Sequence, residues 1–365
     1  MCSLLRVGSL ARSNKRGALT GRGSMTRSIA FAAATALTLG MAAGTAEGQN
    51  STLATVKQRG FLNCGVNSAL PGFSQTDGKG NWQGFDVDYC KAIAAAVLAD
   101  PTKVNYVPVP RLERFSSLQS GDIDVLVRNT TWTSTRDSSG MSFVAATYYD
   151  GQGFMVKASR GIKSVKDFAS GITVCVGTGT TSELNLVDYF AARNVMYKPI
   201  AFANHRETVD AYLADRCDVY SADASSLYSV RVQQVRLKDH IVLPEIISKE
   251  PLGPAVRRDD AHWFATVRWA HFALVSAEEL GVTEENVAQM ATSRNPAIKR
   301  LLGTEGEFGK ALGLDSDFAF RMVKAVGNYG EIFERNLGTG SRLKIDRGSN
   351  KLWSDGGLQY APPIR

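Results

Sequence analysis

Two short stretches of this chain echo each other. Leu118-Gln-Ser-Gly-Asp-Ile-Asp-Val125 and Leu213-Ala-Asp-Arg-Cys-Asp-Val219 each run from a helix end straight into a strand. Polar clusters follow both strands, Asn129-Thr-Thr-Trp-Thr133 in one case and Ser221-Ala-Asp223 in the other. A chain that carries this unit twice is constrained toward two similar α/β lobes. Each lobe would offer polar groups at strand carboxyl ends, where ligands collect in open α/β sheets.

The rest of the pattern agrees. Strands are predicted at Phe61–Val66, Val104–Val109, Ile123–Val127, Phe154–Lys157, Ile172–Val176, Asp218–Ser221, Ile241–Leu243 and Ala255–Arg257. Between the first two, Asp86 is placed to cap a helix whose Cys90, Ile93, Ala94, Val97 and Leu98 recur at helical spacing. Strands alternating with amphipathic helices read as α/β with mainly parallel sheets. Glycine-rich breaks at Asp150-Gly-Gln-Gly153 and Leu252-Gly-Pro254 bracket the second unit. Lobe one is therefore expected to be discontinuous, residues 51–152 and 254–365, with lobe two at 153–252 and two crossings as a hinge. Trp263, Val267, Ala270 and Leu274 share one face of a helical tail that should pack on lobe one, and Asn350–Arg365 is expected to be extended.

Residues 1–46 read differently. They hold six basic residues and no acid, and Ile29–Ala43 is an apolar run followed by Gly44-Thr45-Ala46. This is the pattern of a cleaved signal peptide, with Met25 as an alternative start; an uncleaved anchor is the competing reading, disfavoured by the short run. Without that segment, 36 basic residues face 35 acidic ones. So balanced a body has no field to concentrate on a phosphate backbone, which argues against nucleic-acid binding. An exported chain favours disulfides among Cys64, Cys90, Cys175 and Cys217, and four cysteines allow three pairings. Pairing within lobes, Cys64–Cys90 and Cys175–Cys217, would leave the hinge free. No Cys-x-x-Cys occurs, and His205, His240, His262 and His271 are scattered, so neither a metal nor another cofactor is expected.

The run Gly84-Phe-Asp-Val-Asp-Tyr-Cys-Lys-Ala-Ile-Ala-Ala-Ala-Val97 resembles the signature of family 3 periplasmic solute-binding proteins, the polar-amino-acid receptors of ABC importers. Tyr89 departs mildly from the usual aliphatic residue or Phe. Ser120-Gly-Asp-Ile-Asp-Val125, Thr133-x-x-Arg136, Gly179-Thr-Thr181 and Asp223 follow in order. Arg128-Asn-Thr-Thr-Trp-Thr133, the cysteine placement, Gly327-Asn-Tyr-Gly-Glu331 and Tyr360-Ala-Pro-Pro363 resemble the general L-amino-acid-binding subgroup. The resemblance spans residues 51–365. It implies a two-lobed periplasmic binding protein of type II, each lobe a mainly parallel sheet flanked by helices, joined by a two-segment hinge.

An α-amino acid presents a carboxylate and an ammonium at fixed separation. Arg136 suits the carboxylate, since a guanidinium can hold both oxygens in a fork; a surface arginine is the plain alternative. Gly179, Thr180 and Thr181 precede a helical stretch whose free N–H groups could bind the same carboxylate, or they form a simple turn. Asp223 is the expected partner of the ammonium, with help around Asn129 and Thr131, unless it caps the next helix. Arg114 is placed to attract a distal carboxylate or amide, and Arg128 either contributes or holds loops. Phe73 and Trp132 could cover aliphatic stems or lie in the core. Leu70 stands where many relatives carry an aromatic that stacks on the ligand, which fits broad acceptance. Asp86 and Asp88 suggest a catalytic pair, but charges in a first helical turn explain them more simply.

The sequence thus implies a monomeric periplasmic receptor, not an enzyme. It would capture L-amino acids, glutamate, glutamine and aspartate among them, and deliver them to an ABC permease with its ATPase. A periplasmic dehydratase on the same scaffold is the competing function; it would need a positioned acid beyond the residues already assigned.

Overall fold

In a computed structural model, residues 51–234 and 237–365 are described. The expected signal peptide lies outside them. Two five-stranded sheets carry the architecture. The first takes the order Val104–Pro108, Leu62–Val66, Val125–Leu126, Ala255–Arg257, Met141–Phe143. The second takes the order Tyr197–Phe202, Ile172–Gly177, Val219–Asp223, Gln152–Lys157, His240–Val242. In each, the first three strands pair in parallel and the fourth runs against its neighbours. That reversed strand is the one by which the chain enters from the other sheet. The entry direction accounts for its orientation.

The sequence echo marks one structural device used twice. Asp124 accepts the Asn63 N–H at 2.7 Å, and Asp218 accepts the Thr173 N–H at 2.8 Å. Each carboxylate also pairs with an arginine, Arg59 for Asp124 and Arg160 for Asp218. The aspartates pin the middle of the three parallel strands in each sheet where the next parallel strand begins, satisfying an otherwise unpaired backbone donor.

The helix Phe85–Leu98 is buried along nearly its whole length and packs against Phe318–Val326 and Ala261–Glu279. Its N-cap is Gly84 at φ +132, not Asp86. A side chain there would strike the Phe73 carbonyl oxygen, 2.2 Å from an ideal Cβ. Asp86 lies inside the first turn and accepts the Asn129 N–H at 3.0 Å. Asp88 accepts from Arg335 at 2.7 Å and Asn336 at 2.8 Å, which identifies a structural carboxylate. Trp263, Val267, Ala270 and Leu274 are buried in the same core as the first sheet. The second sheet buries one cluster around Phe154, Val174 and Phe190, and another around Cys175, Tyr212 and Tyr220.

Two segments connect the sheets, and they pair with each other. Tyr148–Asp150 and Glu250–Leu252 form an antiparallel ribbon, Glu250 opposite Asp150 and Leu252 opposite Tyr148. The C-terminal segment reaches this ribbon. Asn350, 3% exposed, accepts the Tyr149 N–H at 2.7 Å and donates to the Tyr149 carbonyl at 3.1 Å. Gln359 donates to the Thr147 carbonyl at 3.3 Å. A 3-10 turn at Trp353–Asp355 interrupts the tail, otherwise largely irregular from Asn350 onward.

Disulfides join Cys64 to Cys90 and Cys175 to Cys217, neither spanning the two sheets. Cross-linking residues 42 apart removes more unfolded-chain freedom than cross-linking residues 26 apart. Replacing Cys175 and Cys217 together by Ser is expected to cost about 2–4 kcal/mol in denaturant unfolding, and the Cys64/Cys90 double replacement somewhat less.

Candidate functional site

A cavity of about 70 Å³ lies between the two sheets. Residues after the strand Val125–Leu126 form one wall; the end of Val219–Asp223 and the start of the helix Thr181–Ala191 form the other. These are strand carboxyl ends, where α/β sheets leave backbone and side-chain polar groups unpaired.

Arg136 lies in the short helix Ser134–Asp137, whose N-cap Thr133 accepts the Arg136 N–H at 3.2 Å. Its Nη1 donates to the Thr131 carbonyl at 2.8 Å, leaving other guanidinium donors for a ligand. Thr131 meets Thr181 across the gap, the hydroxyls 3.4 Å apart. Thr180 caps its helix by accepting the Glu183 N–H at 3.1 Å, and its hydroxyl donates to the Gly177 carbonyl at 2.7 Å. The Thr181 hydroxyl donates to Glu250 at 2.8 Å, so its available group is the main-chain N–H of the first turn, which has no partner within the helix. Glu250, 1% exposed, also accepts from Asn185 and Ser248, both at 2.7 Å, tying the ribbon to that helix start.

Asp223 occupies the N-cap position of the helix Ala224–Arg231, yet its side chain makes no capping bond. Asp150 takes that work, accepting the Ser225 N–H at 3.4 Å and its hydroxyl. Asp223 is thereby left lining the cavity with Arg136. Burial pushes its pKa well above the usual carboxylate range; Asp150 and Glu250 push the same way, and Arg136 and Arg114 oppose them.

Positive charge dominates the lining. Arg111, Arg114, Arg128 and Arg136 all face the cavity, and among the described residues none of the four has an ion-pair partner within 4.0 Å. Arg128 donates through Nε to the Val109 carbonyl at 2.8 Å. Arg114 is 4% exposed, its Nε has no partner, and its Nη2 reaches only the Gly179 carbonyl at 3.5 Å. Burial lowers the Arg114 pKa, and the neighbouring Arg136, Arg128 and Arg111 lower it further. A guanidinium keeps its proton, so this cost becomes a demand for an anion.

Of the residues singled out in the sequence, Arg136, Asp223, Thr131, Asn129, Thr181, Thr180, Arg114 and Arg128 converge on this cavity. Gly179, Phe73 and Trp132 are not among its lining residues. The Gly179 N–H donates to Glu183 at 2.9 Å. Phe73 meets Tyr148 and Phe85 edge-on in the core, and Trp132 stacks on Phe143. Sequence reading missed Arg111 and His205. Arg111 spans the gap, its Nη1 donating to the Phe202 carbonyl at 3.2 Å. It passes so close to Gly177 that an ideal Cβ there would lie 2.1 Å from Nη1. Its place just beyond a strand carboxyl end was the available signal. Among the described residues, no group of three His, Cys, Asp or Glu side chains could hold a metal ion.

Residues 62–337 match the model of the bacterial extracellular solute-binding proteins, family 3. The chain belongs to this family. A general L-amino acid-binding periplasmic protein of Rhizobium johnstonii is 56% identical over 328 residues, covering 89% of this chain and 96% of that one. A glutamate/glutamine/aspartate/asparagine-binding protein of Rhodobacter capsulatus is 53% identical over 317 residues, covering 86% of this chain and 94% of that one. Among solved structures, an ABC transporter periplasmic binding protein from Brucella ovis with glutathione bound superposes with a TM-score of 0.85 at 53% identity, covering 87% of this chain and all of that one. The family and its named members are solute-binding proteins, not enzymes.

Proposed function

We propose that this protein is a periplasmic receptor for L-amino acids, glutamate, glutamine and aspartate among them, and that it delivers them to an ABC permease with its ATPase. The observation that carries this reading is Asp223 and unpaired Arg136 facing one cavity between the two sheets. Arg136 and the Thr181 N–H receive the ligand carboxylate; Asp223, Thr131 and the Asn129 region receive the ammonium. Residues 51–152 and 254–365 form one lobe and 153–252 the other, pivoting on the paired crossings. The ligand supplies both missing charges, so it favours the closed form over the open one. Micromolar capture needs only about −8 kcal/mol, within reach of such pairs in a desolvated cleft. Export through a cleaved signal peptide at 1–46 and a monomeric state complete the proposal.

A thermal-shift screen of the proteinogenic L-amino acids tests it. Glutamate, glutamine and aspartate should raise the melting temperature; no response to any of them would overturn the reading. Arg114 adds a selectivity test. With Arg114→Leu, glutamate affinity should fall about tenfold to a hundredfold, the worth of one charge-assisted contact, while alanine affinity holds within about threefold. Calorimetry of both ligands reads the difference.

A further inference from the structure

The cleft continues past the amino-acid site. A second chamber, of about 350 Å³, is lined by Asn67, Arg111, Arg128 and His205, which also line the first cavity. Beyond them it is bounded by Ser68 and Pro108–Glu113 on one side and Ala203-Asn204 on the other. Glu113, exposed at its rim, is the one acid in this lining.

The charges point the same way as the space. A zwitterionic head satisfies Arg136 and Asp223 and adds no net charge, and a single distal carboxylate answers Arg114. Arg111 and Arg128 then still donate only to carbonyls, those of Phe202, Ala203 and Val109, with Asp86 the carboxylate whose charge reaches Arg128. His205, half-buried beside both guanidiniums, has its pKa pulled down to about 4 by desolvation and their charge and is neutral near pH 7. It adds a hydrogen-bonding ring without further charge. A ligand reaching from the first chamber into the second would pass these groups and could end there in an anion.

We propose that the continuous lining of the two chambers by Asn67, Arg111, Arg128 and His205 admits short γ-linked acidic peptides. The amino-acid head would sit on Arg136 and Asp223 and the second carboxylate at Arg111 and Arg128. This inference rests on the amino-acid reading above.

Calorimetry with glutamate and γ-glutamylglycine on the mature protein tests it, together with Ala203→Trp, a change at an exposed position lining only the second chamber. The dipeptide should bind within about tenfold of glutamate, and Ala203→Trp should weaken it at least about tenfold while glutamate stays within about twofold. Glutamate binding with no dipeptide binding would overturn the inference and leave the amino-acid reading standing. Equal dipeptide binding to both proteins would also overturn it, since the extension would then lie elsewhere. Failure of both ligands on the unaltered protein would remove the amino-acid reading and this inference together.

Discussion

Arg136→Ala should weaken binding of glutamate, glutamine and aspartate alike, by about a hundredfold or more. The guanidinium is one of the groups able to fork a ligand carboxylate, and its Nη1 contact with the Thr131 carbonyl fixes its direction. Removing it leaves a carboxylate unanswered in a desolvated gap and frees the loop that presents Thr131. Breaking one partner of a buried pair costs about 3–5 kcal/mol, or roughly a hundredfold to several thousandfold in affinity. Titration calorimetry reads this directly. Retained micromolar affinity would place the ligand carboxylate elsewhere, with Arg114 the next candidate. The loss should be common to all three ligands because it concerns the shared head, unlike the side-chain-selective effect expected of Arg114→Leu.

Asp223→Asn should weaken the same ligands by a comparable factor, and it should also remove most of the dependence of binding on pH. In the free protein, burial raises the Asp223 pKa, with Asp150 and Glu250 adding to the rise and Arg136 and Arg114 opposing it. A protonated Asp223 offers an ammonium no counter-charge. Binding therefore favours the ionised form, releases a proton wherever Asp223 was still protonated, and weakens as pH falls through its raised pKa. Calorimetry in buffers of different ionisation enthalpy, repeated at falling pH, should detect that proton in the unaltered protein and not in Asp223→Asn. Equal proton release from both would assign it to another buried carboxyl, Asp150 or Asp86, whose pKa values burial raises to about 6 and about 7.

How much of this was written in the residues depends on how local the cause is. The eight strands read from the sequence all belong to the two sheets, because apolar, β-branched runs mark strands even where, as at the edges Val104–Pro108 and His240–Val242, no residue is fully buried. The short Met141–Phe143 was not among them. Tyr197–Phe202 was missed: it is an edge strand with exposed Lys198 and Pro199, so it lacks that pattern. The crossing ribbon was missed as strands because Asp150 and Glu250 pair across a hundred residues of chain and are read from their surroundings alone only as breaks. The site divides similarly. Arg136, Thr131 and Asp223 lie at or after strand ends within motifs, whereas Arg111 and His205 also follow strand ends, Pro108 and Phe202, but carry no motif to mark them. The N-terminal work at Ala224–Arg231 shows the same limit, since the carboxylate that bonds Ser225 comes from the crossing segment rather than from the adjacent Asp223.

Asn350 clasps both main-chain groups of Tyr149, and the matched family region stops at residue 337. The paired crossings proposed as the pivot are thus braced by polypeptide outside the matched family region. Stiffness at the pivot becomes adjustable without altering any group that meets cargo, so residence time and selectivity could be tuned separately. A purification handle fused after Arg365 would hang from that brace, and release kinetics measured on such a fusion would describe the handle as well as the receptor.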